Sequence, residues 1–599
     1  MPFGAQVEAG GVRFRLWAPD AAAVALRIDG QADRPMPVAA DGWAELLVPG
    51  LGAGARYGFV VGDLVVPDPA SRHQPDGVHR LSAVVDPGAY DWQDGAWRGR
   101  DWSEVVVYEL HVGTFTPEGT FRAVLSRLDY LAELGVTAIE LMPVADFPGR
   151  RGWGYDGVLP YAPHGAYGRP EDLKALIDAA HARGLMMLLD VVYNHFGPEG
   201  NYLHATARRF FTDRHHTPWG QAVNYDGADA RPVREFVIHN ALYWLEEFHF
   251  DGLRLDAVHA IVDESRPGLL DELAVRVRAR FPDRPVHLVV ENDRNESRLL
   301  ARGEAGAPVL YTAQWNDDIH HAWHRMLTGE AGGYYRDYAP DPLDHLGRCL
   351  AEGFAYQGEA SEHRGGAPRG QPTAGLPPGA FVAFLQNHDQ IGNRALGERL
   401  DALAPAAAVE AALAVLLLSP QPPLLFMGEE WGAATPFLFF CDLGPDLAQA
   451  VRRGRRHEFA GFPQFHGAGA RRIPDPLATR TAARSRLDWR EAGRSPHAGR
   501  LALVRHLLAL RRREVAPRLA GAAGGRVRRV GERGLDCAWR LGDGAVLTVR
   551  ANLGDRPQDW DGPAAGRRLY GSTAAGAPLP AWGVDWHLAV WNNEGGNGT

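Results

Sequence analysis

A short apolar run, a loop and a helix-like segment follow one another repeatedly from about residue 104, and this repeat constrains the fold more than any other feature. The third run, 185–192, is apolar at every position except Asp190, which is typical of a parallel strand buried on both faces. Eight such runs predict an α/β fold, the closed (β/α)8 TIM barrel. They lie at residues 105–110, 138–142, 185–192, 252–256, 286–291, 309–313, 381–385 and 424–427.

Helix signals lie between these runs. Pro170 opens one helix with two acids near its positive end, and Gly184 ends it. Further helices are predicted over residues 120–134 and 501–513. Helices that alternate with strands are what the barrel requires.

Two β-rich regions flank the barrel. Residues 1–90 alternate strand-like runs with turns, which predicts an N-terminal β-sandwich. Runs such as 545–551 predict a C-terminal all-β domain over 519–599, so the catalytic barrel with its long active-site loops occupies 91–518. Within the barrel, residues 201–231 show little periodicity, and we expect this long loop to cover the substrate cleft.

Charge and cysteine content limit the partners and the compartment. A net charge of -10 and a pI near 6.2 argue against a nucleic-acid partner. Cys349, Cys441 and Cys537 are the only cysteines and lack metal-type spacing, which fits a reducing compartment and leaves room for one disulfide bridge at most. We find no secretory signal and no apolar stretch of the roughly 18 residues that span a bilayer. We therefore expect a cytoplasmic protein without a membrane partner, whose oligomeric state the sequence does not fix.

Three carboxylates, Asp256, Glu291 and Asp389, stand at the C-terminal ends of three apolar runs. In a (β/α)8 barrel these strand ends converge on one face, where catalytic residues are found. Two converging carboxyl groups can break a glycosidic bond, one as the nucleophile and the other as the proton donor. The sequence therefore predicts an enzyme that acts on sugars.

Four segments around these acids resemble the signature segments of the α-amylase superfamily of glycoside hydrolases. They occur in the right order and with separations that suit a barrel, and the resemblance covers nearly the whole chain. The segments are Asp190-Val-Val-Tyr-Asn-His195, Gly252-Leu-Arg-Leu-Asp256, Glu291 after its apolar strand, and Asn387-His-Asp389.

The resemblance implies a role for each matching residue. Asp256 is the nucleophile that forms a covalent glycosyl-enzyme intermediate, and Glu291 is the general acid/base, whose pKa must be raised for it to hold a proton at neutral pH. Asp389 binds sugar hydroxyls and stabilises the distorted ring. The other implied substrate contacts are Arg254, which keeps Asp256 ionised; Asp190, which orients Arg254; His195 and His388, which bond sugar hydroxyls; Tyr155, on which the sugar stacks; and Trp153, which contacts the sugar or packs beside it.

Longer stretches resemble the trehalose-releasing members of the superfamily, for example residues 151–164 and 426–431. This implies retaining hydrolysis of the α-1,4-glucosidic bond next to the terminal trehalose unit of maltooligosyltrehalose, with linear α-1,4-glucans as further ligands. The candidates for contacting trehalose are His259, Asn292 and Trp219, although Asn292 could equally cap a loop. No cofactor is implied and no metal is expected, because the residues here do not supply an obvious set of the oxygen ligands that a calcium site needs.

Three alternative functions stay open. A glycogen branching enzyme would share the sandwich and the barrel but transfer the glycosyl group to another glucan. A debranching enzyme would cut α-1,6 bonds. A non-catalytic barrel that only binds glucans or a partner subunit would typically lose one or more of the three carboxylates, and here all three are present.

Overall fold

Alternating apolar and polar residues form two facing sheets in the N-terminal part of the chain. The computed structural model describes residues 2–217, 220–460, 465, 469, 472–571, 574 and 577–590. Buried side chains such as Phe14, Leu26 and Phe59 fill the space between the two sheets. The predicted β-sandwich is confirmed. One sheet contains Gln6–Glu8, Gly11–Trp17 and Trp43–Pro49, and the other contains Val24–Ile28, Arg34–Met36, Arg56–Val61 and Leu64–Val66, with Ser82–Ala83 beside Arg56–Val61.

Eight parallel strands form the predicted barrel, and we number them β1 to β8. From β1 to β7 each strand pairs with the next one in the sequence, and β8 pairs with β1. A parallel bridge between Ala383 and Pro423 links the ends of β7 and β8 and closes the ring. The strands are β1 Val107–Leu110, β2 Ala138–Leu141, β3 Met186–Val191, β4 Gly252–Leu255, β5 His287–Glu291, β6 Ala313–Trp315, β7 Phe381–Val382 and β8 Leu424–Phe426.

Helices surround the strands and cover the barrel. In the connection that precedes β1, Trp97 and Trp102 pack against the apolar cluster inside the barrel. None of the described helices is long and apolar enough to cross a membrane. The α-helices are Val112–Phe115, Phe121–Leu125, Leu128–Leu134, Pro170–His181, Leu203–Thr206, Ala230–Glu247, Leu269–Arg280, Asp317–Thr328, Pro342–Glu352, His388–Gly392, Ala406–Leu418, Pro445–Glu458, Thr479–Arg484 and His497–Leu510.

The C-terminal part is a five-stranded antiparallel sheet. The predicted all-β character is confirmed, and Trp539 and Trp586 are buried where the sheet packs against helices of the barrel. All three cysteines are free and buried. In spatial order the strands are Arg526–Val530, Gly534–Arg540, Val546–Asn552, Val584–Ala589 and Arg567–Tyr570.

Three predicted elements differ from the structure. The sixth strand is Ala313–Trp315 and not residues 309–313, because Val309 lies in a loop, where its N–H bonds Ala301 and its side chain is half exposed. The helix expected over 120–134 is broken near Ser126, whose hydroxyl bonds the Ala123 carbonyl. The stretch 201–231 is not a plain loop, since it contains the strands Phe211–Thr217 and Gly220–Val223, a paired hairpin.

Candidate active site

Side chains that point into the barrel form a polar layer at its C-terminal end. Successive residues of a strand point to opposite faces, so the residue two positions after an inward-facing one also faces inward. Val107, Ala138, Leu188 and Val289 belong to the apolar cluster inside the barrel. The residues two positions further on are Glu109, Glu140, Asp190 and Glu291, and the strand between the last two contributes Arg254.

Arg254 is the centre of this layer. Its Nη1 donates to Asp190 Oδ2 at 2.6 Å and to Asp256 Oδ1 at 2.9 Å, and its Nη2 donates to Glu291 Oε2 at 2.6 Å. Its guanidinium lies over the Trp315 ring, 4.2 Å from the centroid, and only 1% of the Arg254 side chain is exposed. One planar cation therefore holds three carboxylates in fixed positions, which suits the forked geometry of arginine.

Asp256 is held as an anion. Burial acts to raise the pKa of Asp256, but the charge of Arg254 and a hydrogen bond from Asn194 outweigh it, so the pKa lies below its usual range. Asn194 Nδ2 donates to Asp256 Oδ2 at 2.8 Å. An ionised carboxylate at the end of β4 can act as a nucleophile.

The pKa of Glu291 is shifted in the opposite direction. Burial, together with the charges of Asp256, Asp317 and Asp389, raises the pKa of Glu291 well above its usual range, although Arg254 opposes this. Its Oε2 accepts from Arg254 and from the Ala257 N–H at 2.9 Å. Because Oε2 already accepts two bonds, Oε1 is the oxygen that is left to carry a proton.

The backbone turns sharply after Asp256. Ala257 has φ +38°, a left-handed conformation that is uncommon for a residue with a side chain. This turn aims the Ala257 N–H at Glu291. Strained backbone of this kind is often found where a site must be held rigidly.

A series of hydrogen bonds links four residues of the site: Asp190, Tyr155, His388 and Glu109. The Tyr155 hydroxyl lies 2.6 Å from Asp190 Oδ2 and 2.8 Å from His388 Nε2, and His388 Nδ1 bonds Glu109. Burial acts to lower the pKa of His388, but Glu109 outweighs it, so the pKa is raised. Burial raises the pKa of Asp190 to about 6, although Arg254 opposes this. The Tyr155 and His388 rings stack with centroids 5.1 Å apart and form one wall of the site.

Asp389 lies in the first turn of His388–Gly392, the short helix after β7. Its backbone N–H donates to Asn387 Oδ1, and its Oδ1 accepts from Asn393 at 2.6 Å. The side chain is partly exposed, and its charge contributes to the raised pKa of Glu291. The structure therefore brings Asp256, Glu291 and Asp389 to one side of the barrel.

Two aromatic residues near this site have partners within the protein. His195 Nε2 lies 3.0 Å from the Tyr155 carbonyl oxygen. Trp153 is 6% exposed, its indole N–H donates to the Leu438 carbonyl, and its ring packs edge-on against His388. These contacts favour the packing alternative for Trp153.

The three residues that the sequence predicts to contact trehalose lie in different environments. His259 lies in the turn after Asp256, and its Nδ1 accepts from the Asp293 N–H at 3.3 Å. Asn292 is 1% exposed, donates to Glu296 and accepts from the Arg294 N–H, which favours the loop cap. Trp219 lies outside the described residues.

Three residues of the site did not appear among the sequence predictions as site residues. Glu109 supports His388, Trp315 packs on Arg254, and Asn194 donates to Asp256. Glu109 is a charged residue in an otherwise apolar strand, and this pattern could have identified it as a site residue. Trp315 was missed because the sixth strand was placed too early and ended before it.

Comparison with known proteins agrees with this geometry. The family described as the alpha amylase catalytic domain matches residues 90–221, and carbohydrate-binding module 48, the isoamylase N-terminal domain, matches residues 2–64. A family described as a domain of unknown function, DUF3459, matches residues 522–586.

Relatives that match most of the chain identify the family more narrowly than the domain matches do. The chain is 46% identical to a malto-oligosyltrehalose trehalohydrolase of Deinococcus radiodurans, over 84% of this chain and 81% of that protein. It is 46% identical to one of Arthrobacter ramosus, over 84% of this chain and 87% of that protein. The crystal structure of a protein from Salmonella typhimurium, described as a candidate alpha amylase, superimposes with a TM-score of 0.94 at 48% identity and covers 98% of this chain and 99% of that one.

Proposed function

This chain belongs to the malto-oligosyltrehalose trehalohydrolases, a family of α-amylase-type enzymes, and on that premise we propose that Asp256, Glu291 and Asp389 carry out its reaction. The enzyme is a retaining glycoside hydrolase. It cleaves the α-1,4-glucosidic bond next to the terminal trehalose unit of maltooligosyltrehalose and releases trehalose.

The observation that carries this assignment of roles is the position of Arg254 between Asp256 and Glu291. The same guanidinium touches both carboxylates, yet their pKa values are shifted in opposite directions. Two carboxyl groups with separated pKa values are the arrangement that acid/base and nucleophilic roles require. A retaining mechanism expects the two carboxyl groups about 5–5.5 Å apart.

The reaction then has two steps. Asp256 attacks the anomeric carbon while the proton on Glu291 Oε1 passes to the glycosidic oxygen, so that trehalose departs and a glycosyl-enzyme ester forms. Glu291, now ionised, takes a proton from water as the water oxygen attacks the same carbon. The C–O bond to Asp256 breaks, the α-configuration is restored and Glu291 is protonated again.

The other residues position the substrate. Tyr155 and His388 provide the stacking wall, Asp190 holds Arg254, and His195 supports the Tyr155 loop and offers a hydroxyl contact. Asp389 bonds hydroxyls of the sugar at the cleaved position, and these bonds strengthen as the ring flattens. His259 is the candidate for a contact with the departing trehalose.

We also propose that linear α-1,4-glucans bind the same cleft and that the enzyme works in the cytoplasm. Three free, buried cysteines suit a reducing compartment. The net charge of -10 supports the absence of a nucleic-acid partner. The division at residues 1–90, 91–518 and 519–599 stays a prediction.

A product assay tests the function. The enzyme is incubated separately with maltooligosyltrehalose, amylose and a branched glucan, and the products are resolved by chromatography. We expect trehalose from the first substrate, no new branches in amylose, and no selective cutting of α-1,6 bonds. A branched product from amylose would instead indicate a branching enzyme, and absence of trehalose would contradict the assignment.

The Asp256→Asn variant tests the nucleophile. The amide cannot form the ester, so we expect the loss of turnover to exceed about 1,000-fold while glucan binding stays measurable. Asp271→Asn is the matched control, since Asp271 lies on an outer helix and pairs with the exposed Arg298. Retained activity in Asp256→Asn would mean that another group is the nucleophile.

A further inference from the structure

A cavity of about 540 Å³ lies at the N-terminal end of the barrel, away from the catalytic acids. His287, which begins β5, lines this cavity, whereas Glu291 at the other end of the same strand belongs to the active site. Three arginines line it as well, namely Arg278, Arg302 and Arg511. The volume is within the range that is usual for small-molecule sites.

Backbone groups hold these three arginines in place. Every printed partner of their guanidinium groups is a carbonyl, apart from one hydroxyl. A carbonyl has no net charge, so these bonds position the cations without neutralising them. The acceptors are the carbonyls of Val286 and Leu310 and the Thr312 hydroxyl for Arg278, the carbonyls of Leu300, Tyr311 and Thr312 for Arg302, and those of Leu417, Ser419 and Gln421 for Arg511.

No acid pairs with these arginines in the part of the chain that the structure describes. By contrast, the buried Arg234 and Arg369 lie 2.9 Å and 2.8 Å from carboxylate oxygens. Burial lowers the pKa of Arg511 to about 9, since no neighbouring charge compensates it. A buried cation without a counter-charge is costly, so a bound anion would stabilise this region.

Arg278 and Arg302 are close neighbours within the cavity wall. Arg278 donates to the Thr312 hydroxyl at 3.1 Å and Arg302 donates to the Thr312 carbonyl at 2.6 Å. Burial and then the charge of Arg278 lower the pKa of Arg302 to about 10. Two adjacent guanidinium groups of like charge attract an anion to the space beside them.

Unused N–H groups are available to such an anion. A guanidinium has five N–H groups, and Arg302 makes its three hydrogen bonds through Nη1 and Nη2. Its Nε has no partner among the described residues. The Nε of Arg511 is buried and also lacks a hydrogen-bond partner there. Buried donors are normally paired, so these two are expected to meet an acceptor that is not part of the protein.

Most of the remaining lining is apolar. The Trp102 indole donates to the Gly379 carbonyl at 2.7 Å, and its ring centroid lies 4.9 Å from that of His287. Asp101 is the one acid among the described lining residues, and its carboxylate already accepts from Ser103. An inorganic phosphate ion would leave much of this space empty. Six prolines complete the lining: Pro285, Pro308, Pro377, Pro378, Pro420 and Pro422.

We infer that this cavity binds a phosphate ester of a small organic molecule, with the phosphate beside Arg278 and Arg302 and the organic group against Trp102 and the prolines. Arginine suits phosphate because its planar fork can donate two parallel hydrogen bonds. The site lies at the opposite end of the barrel from the catalytic cleft. Its ligand therefore acts on the stability of the enzyme and is not a substrate.

Calorimetric titration of the whole enzyme tests this inference. The probes are inorganic phosphate, glucose 6-phosphate and AMP, with glucose as the uncharged control. We expect saturable binding of at least one ester, weaker binding of inorganic phosphate and none of glucose. Arg302→Gln should weaken ester binding at least tenfold, since a charged donor is lost. Arg298→Gln is the matched control, because Arg298 pairs with Asp271 and does not line the cavity.

A second variant leaves the arginines in place, because Arg302 also supports three carbonyls of the fold. Ala307 lines the cavity and is exposed, so Ala307→Trp narrows the opening without removing a charge. We expect the same thermal unfolding temperature as the wild type without ligand, at least tenfold weaker ester binding and an unchanged kcat. Failure of all three phosphate probes to bind the wild type would overturn the inference. So would ester affinity that is unchanged in folded Ala307→Trp and Arg302→Gln.

Discussion

Arg254 shows how one residue sets the chemistry of its neighbours. Alone in a buried position its charge would be costly, but three carboxylates accept its hydrogen bonds and Trp315 covers its face. Asp256 and Glu291 contact the same cation, but their other neighbours differ. Asp256 also receives a bond from Asn194, whereas Glu291 faces several other carboxylates. This asymmetry, and not the acids alone, separates the pKa values of the proposed nucleophile and the proposed proton donor.

The pH dependence of kcat/KM follows from these two shifts. With the proposed roles, activity needs Asp256 ionised and Glu291 protonated. We therefore expect it to fall on the acidic side as Asp256 takes up a proton and on the alkaline side as Glu291 loses one. The lowered pKa of Asp256 and the raised pKa of Glu291 both widen the active range. The Asn194→Ala change removes a hydrogen bond that lowers the pKa of Asp256. We expect the acidic limb to move to higher pH by up to about one unit, with the alkaline limb in place.

The pH–rate profile of kcat/KM checks this expectation. Asn240→Ala is the control, because Asn240 is also buried and hydrogen-bonded in the barrel but contacts neither carboxylate. An acidic limb that stays where it is in Asn194→Ala would show that Arg254 alone sets the pKa of Asp256.

At the scale of the element, β4 contains Arg254 and is followed directly by Asp256, and its position depends on close contact with β5. Gly252 begins the strand, and a Cβ there would meet the His287 carbonyl oxygen at 2.1 Å and a methyl of Leu188 at 2.8 Å. The strands could not pair in this register with a larger residue at that position. Glycine at the start of the segment Gly252–Leu255 is thus a packing requirement.

The Gly252→Ala variant tests that requirement. We expect it to lower the free energy of unfolding by about 1–3 kcal/mol and to reduce kcat, because shifting β4 moves Arg254 and Asp256 together. Urea unfolding and steady-state kinetics measure the two effects. Gly95→Ala is the matched control, since a Cβ at Gly95 meets nothing within 4 Å. Equal stability of the two variants would show that β4 and β5 adjust without cost.

At the scale of the whole molecule, two tryptophans join the C-terminal sheet to the barrel. The Trp586 indole donates to the Ala414 carbonyl at 3.0 Å and the Trp539 indole donates to the Leu350 carbonyl at 2.9 Å. Their rings stack with centroids 5.8 Å apart, and both residues are almost fully buried. The helices that they contact lie outside the barrel strands, so this interface supports the barrel without contacting the catalytic acids.

Trp586→Ala separates stability from catalysis. Removing a large buried ring is expected to cost about 3–5 kcal/mol of the free energy of unfolding. At low temperature, where the protein stays folded, kcat should be unchanged. Val590→Ala at the end of the same sheet is the control, because Val590 is 57% exposed. A large loss of kcat in folded Trp586→Ala would mean that the C-terminal sheet acts on the cleft.

The sequence by itself determined the fold class and the order of the strands, because burial and alternation leave local patterns that can be read along the chain. It also predicted three catalytic carboxylates, and that role stays a prediction. It placed β6 too early and missed the break near Ser126, since apolar runs do not mark where pairing starts or where a hydroxyl competes for a carbonyl. The tertiary structure alone decided which side chains share the space around Arg254. The neighbours of the acids come from distant parts of the chain, namely Glu109, Asn194, and Trp315 with Asp317. Their charges and hydrogen bonds act on the acids only once the barrel has closed.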